Sequence, residues 1–217
     1  MAYPSIISQP AARNIEPVLG ALTPLIDITP TPQHILELAS YPYEHIRHYA
    51  VRWPDVEFSG TARDKDEIAG IETNDLPSNV AAPQQLDVAV QQDWDALKGN
   101  VKAPVDGVIM LNLVHCTPEG VPEHVFRNLS PKTDEGRRLL RKGGWVAAYG
   151  AYLNDDGSYR SEGDEKFDHS YIKAMDPSLG LRTPVSISQM AEKWGFREEV
   201  REDMPKGNLW IVWRAVE

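Results

Sequence analysis

Cysteine is nearly absent from this chain, and glycine is missing from the turn that most calls for it. One thiol, Cys116, among 217 residues excludes an internal disulfide framework and suits a reducing compartment. No stretch approaches the roughly 18 consecutive apolar residues of a membrane span. The first residues show neither the basic region nor the apolar core of a secretory signal. Basic clusters are scarce too: 22 Lys and Arg against 32 Asp and Glu give a net charge of −10, the wrong sign for neutralising phosphates. The densest basic run, residues 137–142, reads as the solvated end of a helix. These absences predict a cytoplasmic protein with neither nucleic acid nor membrane as partner.

What is there suits an ordinary globular domain, with 41% apolar and 25% charged residues. The length accommodates one core, so residues 1–217 read as a single domain, with residues 1–33 as an N-terminal helical lid segment. Residues 11–28 place Ile15, Val18, Leu19, Leu22 and Ile26 on one helical face, and Pro17 and Pro24 predict a break in that helix. A strand over 34–39, a helix over 44–52 and a strand over 56–60 follow, then a helix over 64–73 that begins at Asp64 with Glu67 three residues on, as an N-cap does. A short strand over 84–88 and one helical turn at 93–97 precede the most apolar run, 105–114, which suits a central parallel strand buried on both faces. Residues 118–140 read as an interrupted helix ended by Gly143-Gly144, with a fifth strand at 145–149. Helices over 164–175 and 186–193 lead to two strands, 196–203 and 208–215, predicted to form an antiparallel hairpin at the sheet edge, which leaves room for a homodimer. The alternation predicts a doubly wound α/β fold: a mostly parallel, seven-stranded, Rossmann-like sheet with a C-terminal antiparallel hairpin.

The turn after the first strand, Ser40-Tyr41-Pro42-Tyr43-Glu44-His45, organises this plan, because in such folds that turn meets a nucleotide-type ligand through backbone N–H groups. Close approach there favours glycine, and two tyrosines flank a proline instead.

At the ends of the other strands stand residues with usable chemistry. His115, at the carboxyl end of the central strand, reads either as an acid–base group or as a structural imidazole. Asn112 can donate to a substrate carbonyl or bond a loop. Asp168 can orient His115, contact substrate or mark a helix start. Tyr41, Tyr43, Tyr149 and Tyr152 are expected around one crevice, as aromatic walls for an apolar small molecule or as filling. Arg13-Asn14 can cap that crevice or tie the first helix to the sheet. His45 and His48 with Glu44 lack the further ligands of a zinc site and are expected on the surface, so no metal is predicted. Cys116, next to His115 on a strand, would face away from it as an inert thiol.

Taken in order, Ala12-Arg13-Asn14, Glu16-Pro17, Leu36-Glu37-Leu38-Ala39-Ser40 with His45, Leu86-Asp87-Val88, Asn112-Leu113-Val114-His115, Gly143-Gly144, Tyr149-Gly150, Phe167-Asp168, Gly180-Leu181-Arg182, Met204-Pro205 and Asn208-Leu209 resemble the methyltransferase-like 26 family over nearly the whole chain. That resemblance implies the class I S-adenosylmethionine-dependent methyltransferase fold. It also implies a turn of the form Ala-Ser-Gly-x-Gly-x-His, in which Tyr41 and Tyr43 replace the two glycines, and an acid after the second strand where Ala62 stands. If the cofactor is retained, Glu37, Ser40, Asp64 and Asp87 are expected to bind it.

The losses fall on the cofactor side, while Asn112, His115, Tyr149, Asp168 and Asn208 persist on the substrate side. The resulting expectation is a repurposed enzyme, with no cofactor favoured. It would promote a cyclisation, isomerisation or pericyclic (Diels–Alder-type) step on an apolar biosynthetic small molecule. Its catalytic residues would be His115, Tyr149, Asn112 and Asp168, and its substrate contacts Tyr41, Tyr43, Tyr152, Asn14 and Asn208. The alternatives are an active methyltransferase using S-adenosylmethionine on a small molecule, and a non-catalytic pseudoenzyme binding module.

Overall fold

A computed structural model describes residues 10–28, 33–102 and 104–216. The lid segment is described only as helix α1 (Pro10–Ile26) and the residues that flank it; residues 1–9 and 29–32 lie outside the described residues. Seven strands form one sheet in the order β3-β2-β1-β4-β5-β7-β6. They are β1 (Gln33–Leu38), β2 (Val56–Ala62), β3 (Gln84–Gln85), β4 (Val105–Leu111), β5 (Leu140–Ala151), β6 (Phe196–Asp203) and β7 (Asn208–Ala215). The first five are parallel where they pair, and β7 runs antiparallel between β5 and β6. The doubly wound sheet with its C-terminal hairpin is therefore present.

Apolar residues cover both faces. On one face α1 and α2 (Glu44–Arg52) pack Val18, Leu22, Ile46 and Tyr49 against Ile35, Phe58, Trp145 and Trp210. On the other face α4 (Gln91–Asn100), α5 (Val121–Leu129) and α6 (Pro184–Lys193) pack Trp94, Phe126 and Ile187 against Leu36, Val108, Val146 and Trp213. Central β4 is buried along nearly its whole length, as its apolar run predicts. Gly107 is needed there, because a Cβ would come within 2.3 Å of the Trp145 ring on the neighbouring strand.

Several local expectations are corrected. Helix α1 runs unbroken through Pro17 and Pro24, so burial of its apolar face outweighs the two backbone hydrogen bonds that the prolines forgo. Helix α3 is shorter than expected (Lys65–Ala69), and α4 is longer, at 10 residues. Residues 118–140 are not one helix: α5 ends at Leu129, and β5 already begins at Leu140. Gly143-Gly144 does not stop a helix but lies in an irregularity of β5. There Val105 pairs with Leu140 and Gly107 with Trp145, Gly143 has φ +71°, and a Cβ on Gly144 would crowd the Asp106 carbonyl at 2.9 Å. The basic run accordingly reaches a strand, where Arg141 pairs with Asp106 at 2.9 Å. The edge strand β6 carries Arg197, Glu198, Glu199, Arg201, Glu202 and Asp203.

Candidate active site at the carboxyl edge of the sheet

All four non-glycine residues with positive φ among the described residues lie at the carboxyl edge of the parallel strands. Ala39 (φ 52°) and Tyr43 (φ 75°) lie in the turn after β1, Asn112 (φ 55°) just beyond β4, and Lys206 (φ 66°) in the turn between β6 and β7. Each such conformation costs about 1–3 kcal/mol and persists only where its surroundings impose it, most often at a functional site.

The first turn is stitched to the end of β2. The Ala39 N–H donates to Thr61 Oγ1 at 3.0 Å, and the Ser40 N–H and hydroxyl both donate to the Thr61 carbonyl, at 2.7 and 3.0 Å. Tyr43 adopts the left-handed backbone for which glycine is used. Its ring goes under the turn, fully buried over Gly60, and its hydroxyl donates to the Gly60 carbonyl at 2.8 Å. Tyr41, joined to Pro42 by a cis peptide, is half-buried with its ring against Gly70 at the end of α3. The two tyrosines thus lie along the first core face, and Tyr43 is a core residue and not a wall of the crevice.

Beneath Tyr43, on the same face of β1, sits Glu37, fully buried and with Oε2 lacking a hydrogen-bond partner. Burial raises its pKa from the ordinary 4.5 to about 8, so the carboxyl is mostly neutral at pH 7. Burial and then the neighbouring Glu37 push the hydroxyls of Tyr43 and Tyr49 upward as well.

The acids expected to bind the cofactor after the second and third strands fare differently. Ala62 ends β2 as a buried methyl. Asp64 caps α3 as predicted, accepting the N–H groups of Asp66 and Glu67 at 3.0 and 2.9 Å, chiefly the latter of which holds its pKa down. Its carboxylate is occupied locally. Asp87 accepts the Ala89 N–H at 2.9 Å through one oxygen, and no hydrogen bond to the other is present among the described residues.

Across the sheet, three predicted residues are brought together. The Tyr149 hydroxyl, on β5, donates to Asn14 Oδ1 on α1 and accepts from Asn208 Nδ2 at the start of β7, both at 2.9 Å. Asn208 is itself anchored on the Pro205 carbonyl at 3.0 Å. Asn14 therefore ties the first helix to the sheet. Burial raises the Tyr149 pKa, so the phenol stays protonated as a fixed donor. Asn112 docks through its own N–H on the Tyr149 carbonyl at 2.7 Å.

His115 does not join this chain. It lies in a 3-10 turn (Val114–Cys116), since β4 has ended at Leu111. Its ring rests on Gly150, where a Cβ would stand 3.2 Å away, and is covered edge-on by Phe167 at 5.6 Å. Burial, opposed by a backbone hydrogen bond at Ala151, lowers its pKa to about 4, and Nδ1 has no partner. The imidazole is neutral at physiological pH, which fits the structural reading. Asp168 is also buried, at the start of a π-helical stretch (Asp168–Ile172). It accepts from Lys173 Nζ at 2.6 Å and from the Leu181 N–H and the Tyr159 hydroxyl at 2.8 Å each. Burial opposes its ionisation, but these donors hold its pKa below the ordinary value. Asp168 thus anchors the loop that carries Gly180, whose N–H reaches the His115 carbonyl at 3.2 Å.

Tyr152 is separated from the other tyrosines. It belongs to the opposite core face, its hydroxyl buried without a partner. His45 is half-buried and not a surface group; burial lowers its pKa to about 4. No group of three potential metal ligands occurs among the described residues. The Cys116 thiol is raised to about 11 by burial and stays protonated. Tyr159 and Lys173, which bond Asp168, carry no local sequence signal: Tyr159 lies in the loop before the helical segment that holds Asp168 and Lys173.

Residues 5–215 match the model of the family described as "Protein of unknown function (DUF938)". Among solved structures the chain is similar to human N-acetylserotonin methyltransferase in complex with S-adenosylmethionine (TM-score 0.65, 12% identity, covering 85% of this chain and 48% of that one). It is also similar to TnmH (TM-score 0.68, 14% identity, 94% and 56%). A third is CalO1, a methyltransferase in calicheamicin biosynthesis, in its S-adenosylhomocysteine-bound form (TM-score 0.65, 12% identity, 93% and 55%). These likenesses establish the methyltransferase fold, and the chain spans about half the length of these structures.

Proposed function

The chain belongs to the DUF938 family, and from its site, not from that name, we propose that it is an S-adenosylmethionine-dependent methyltransferase acting on a small molecule. The observation that carries this reading is Tyr43. Its backbone holds the φ of 75° that the missing glycine would supply, and its ring is spent beneath the turn, fully buried. The substitution that argued against the cofactor therefore leaves the turn's shape intact and keeps the ring out of the crevice.

The fit to the cofactor is uneven along its length. Ser40 fixes the turn, Glu37 lies below it with an unpartnered buried oxygen, and Asp87 offers a carboxylate oxygen at the end of β3. The ribose position does not fit, because Ala62 has no acceptor and the Asp64 carboxylate already caps α3. The groups that would hold the cofactor are the open carboxylate oxygen of Asp87 and the turn that Ser40 fixes, and bound S-adenosylmethionine would supply an electrophilic methyl group. The chain's own part is to position the acceptor. The Asn14–Tyr149–Asn208 relay presents fixed amide and phenol groups at the substrate side of the edge, and neutral His115 is buried apart from it, against Gly150 and Phe167. The neighbours solved with S-adenosylmethionine or S-adenosylhomocysteine support a cofactor over the expectation of none. The narrower resemblance to methyltransferase-like 26, an apolar biosynthetic substrate and a cytoplasmic setting all belong to this reading.

A second reading, a methyltransferase fold that rearranges its substrate without methyl transfer, is favoured by Ala62 alone. Isothermal titration with S-adenosylmethionine separates them. One-to-one binding in the micromolar range is expected, and folded protein that binds neither S-adenosylmethionine nor S-adenosylhomocysteine would return the function to the second reading.

A further inference from the structure

One cavity, of about 300 Å³, lies away from the carboxyl edge. It lies between β2, the segment 78–84 and the end of α4, and its wall includes His34, near the amino-terminal end of β1, and Ser59, in the middle of β2. Nothing in the proposed methyltransferase site uses it.

His34 and Ser59 form a hydrogen-bonded pair whose polarity is fixed by chemistry. His34 Nδ1 lies 2.8 Å from the Lys102 carbonyl, which can only accept, so Nδ1 carries the proton in the neutral ring. Nε2 is then the bare nitrogen, and Ser59 Oγ, 2.6 Å away, must donate to it. The order is hydroxyl, imidazole, backbone carbonyl: a nucleophile, its base and a group that fixes the base's tautomer. The mounting is stiff. The His34 N–H donates to Asp106 Oδ2 at 2.6 Å, and Asp106 in turn pairs with Arg141.

The rest of the wall bears on the substrate. Glu57 and Lys102, both lining the cavity, pair with each other at 3.0 Å and neutralise each other's charge. Asn79 commits its amide nitrogen to the carbonyls of Ala50, Trp53 and Val56, which leaves its oxygen as the open group. Asn100, exposed and without a hydrogen bond among the described residues, also lines the cavity, and its amide is the donor assigned here to a developing oxyanion. A volume of about 300 Å³ is at the small end of ligand sites.

We propose that this cavity is a second site, in which Ser59 is a nucleophile toward small uncharged esters. Ser59 Oγ bonds to the ester carbonyl carbon while its proton moves to His34 Nε2. The bond from that carbon to the alcohol oxygen breaks, and the departing alcohol takes the proton from Nε2, leaving Ser59 acylated. Water then attacks the acyl carbon, giving one proton to Nε2 and passing the other to the product acid. Release of Ser59 Oγ, which recovers the proton from Nε2, restores the pair. No oxidant or other co-reactant is needed.

The test uses the full chain with diisopropyl fluorophosphate and, separately, p-nitrophenyl acetate. One diisopropylphosphoryl group on Ser59, located by peptide mass spectrometry, is expected, together with acetate-ester hydrolysis that Ser59→Ala abolishes. His34→Asn is expected to slow labelling at least tenfold. Folded wild-type protein left unlabelled at Ser59, or labelling undiminished in His34→Asn, would overturn the proposal. If His34→Asn fails to fold, wild-type labelling at Ser59 that Asn100→Ala slows supports it, and labelling elsewhere on the chain refutes it.

Discussion

The two halves of the carboxyl edge handle polar side chains in opposite ways. On the β1–β2 side, Glu37, Tyr43 and Tyr49 go into the core, and two of their oxygens, Glu37 Oε2 and the Tyr49 hydroxyl, have no partner. On the β5–β7 side, Asn14, Tyr149 and Asn208 bond to one another, and Asp168 gathers three donors. The first half is shaped by burial and the second by hydrogen bonding. The difference teaches that a turn without glycine can hold its shape: Tyr43 takes the positive φ and its ring is absorbed by the core, while the β5–β7 side is held by its own hydrogen bonds.

The largest effect expected from this contrast is on pH dependence. The folded pKa of Glu37 lies above its ordinary value, about 8 against 4.5. Between those values the folded chain holds a proton that the unfolded chain has shed, so stability is fully present below 4.5 and falls as pH rises through 8, by about 1.4 kcal/mol per pH unit. Glu37→Gln should remove that slope and gain several kcal/mol over wild type at pH 8.5; urea unfolding that shows parallel pH profiles would erase the contrast. Next comes Asp168→Ala, which strands the Lys173, Leu181 and Tyr159 donors and should cost about 3–5 kcal/mol. A loss below 1 kcal/mol in chemical denaturation would mean that the second half is not held by hydrogen bonds.

Tyr43→Gly should cost about 2–3 kcal/mol, since the cavity left by the ring outweighs the relief of its positive φ, whereas Tyr43→Phe should lose only about 1 kcal/mol with the Gly60 bond. Equal losses in thermal melts would shift the weight from packing to that bond. Tyr149→Phe should cost about 1–2 kcal/mol and weaken acceptor turnover while leaving S-adenosylmethionine affinity unchanged. A loss of donor affinity would join the halves that the structure separates. The smallest effect is expected of Ala39→Gly, within about 1 kcal/mol of wild type.

Much of the fold was legible in the sequence. Helix α2 and strands β6 and β7 have the predicted bounds, because Pro42, Met204-Pro205 and the apolar alternation mark them. The start of β5 was not legible, because Leu139-Leu140-Arg141-Lys142 has helical composition and its strand conformation depends on pairing with Val105 across the irregularity at Gly143. At the site, the list of residues was legible and their grouping was not. Asn14, Tyr149 and Asn208 are brought together by tertiary packing over 135 and 59 positions. The direction of the Tyr43 ring follows from a positive φ that no local rule predicts for tyrosine. Tyr152 fell on the opposite face because strand β5 extends through Ala151.

The most direct measurement is a crystal structure of the protein soaked with S-adenosylhomocysteine. The adenosyl group is expected over the turn between Ser40 and Asp87, with the Tyr43 ring still on Gly60. Density that places Tyr43 in the crevice, with no ligand beside Asp87, would contradict the account.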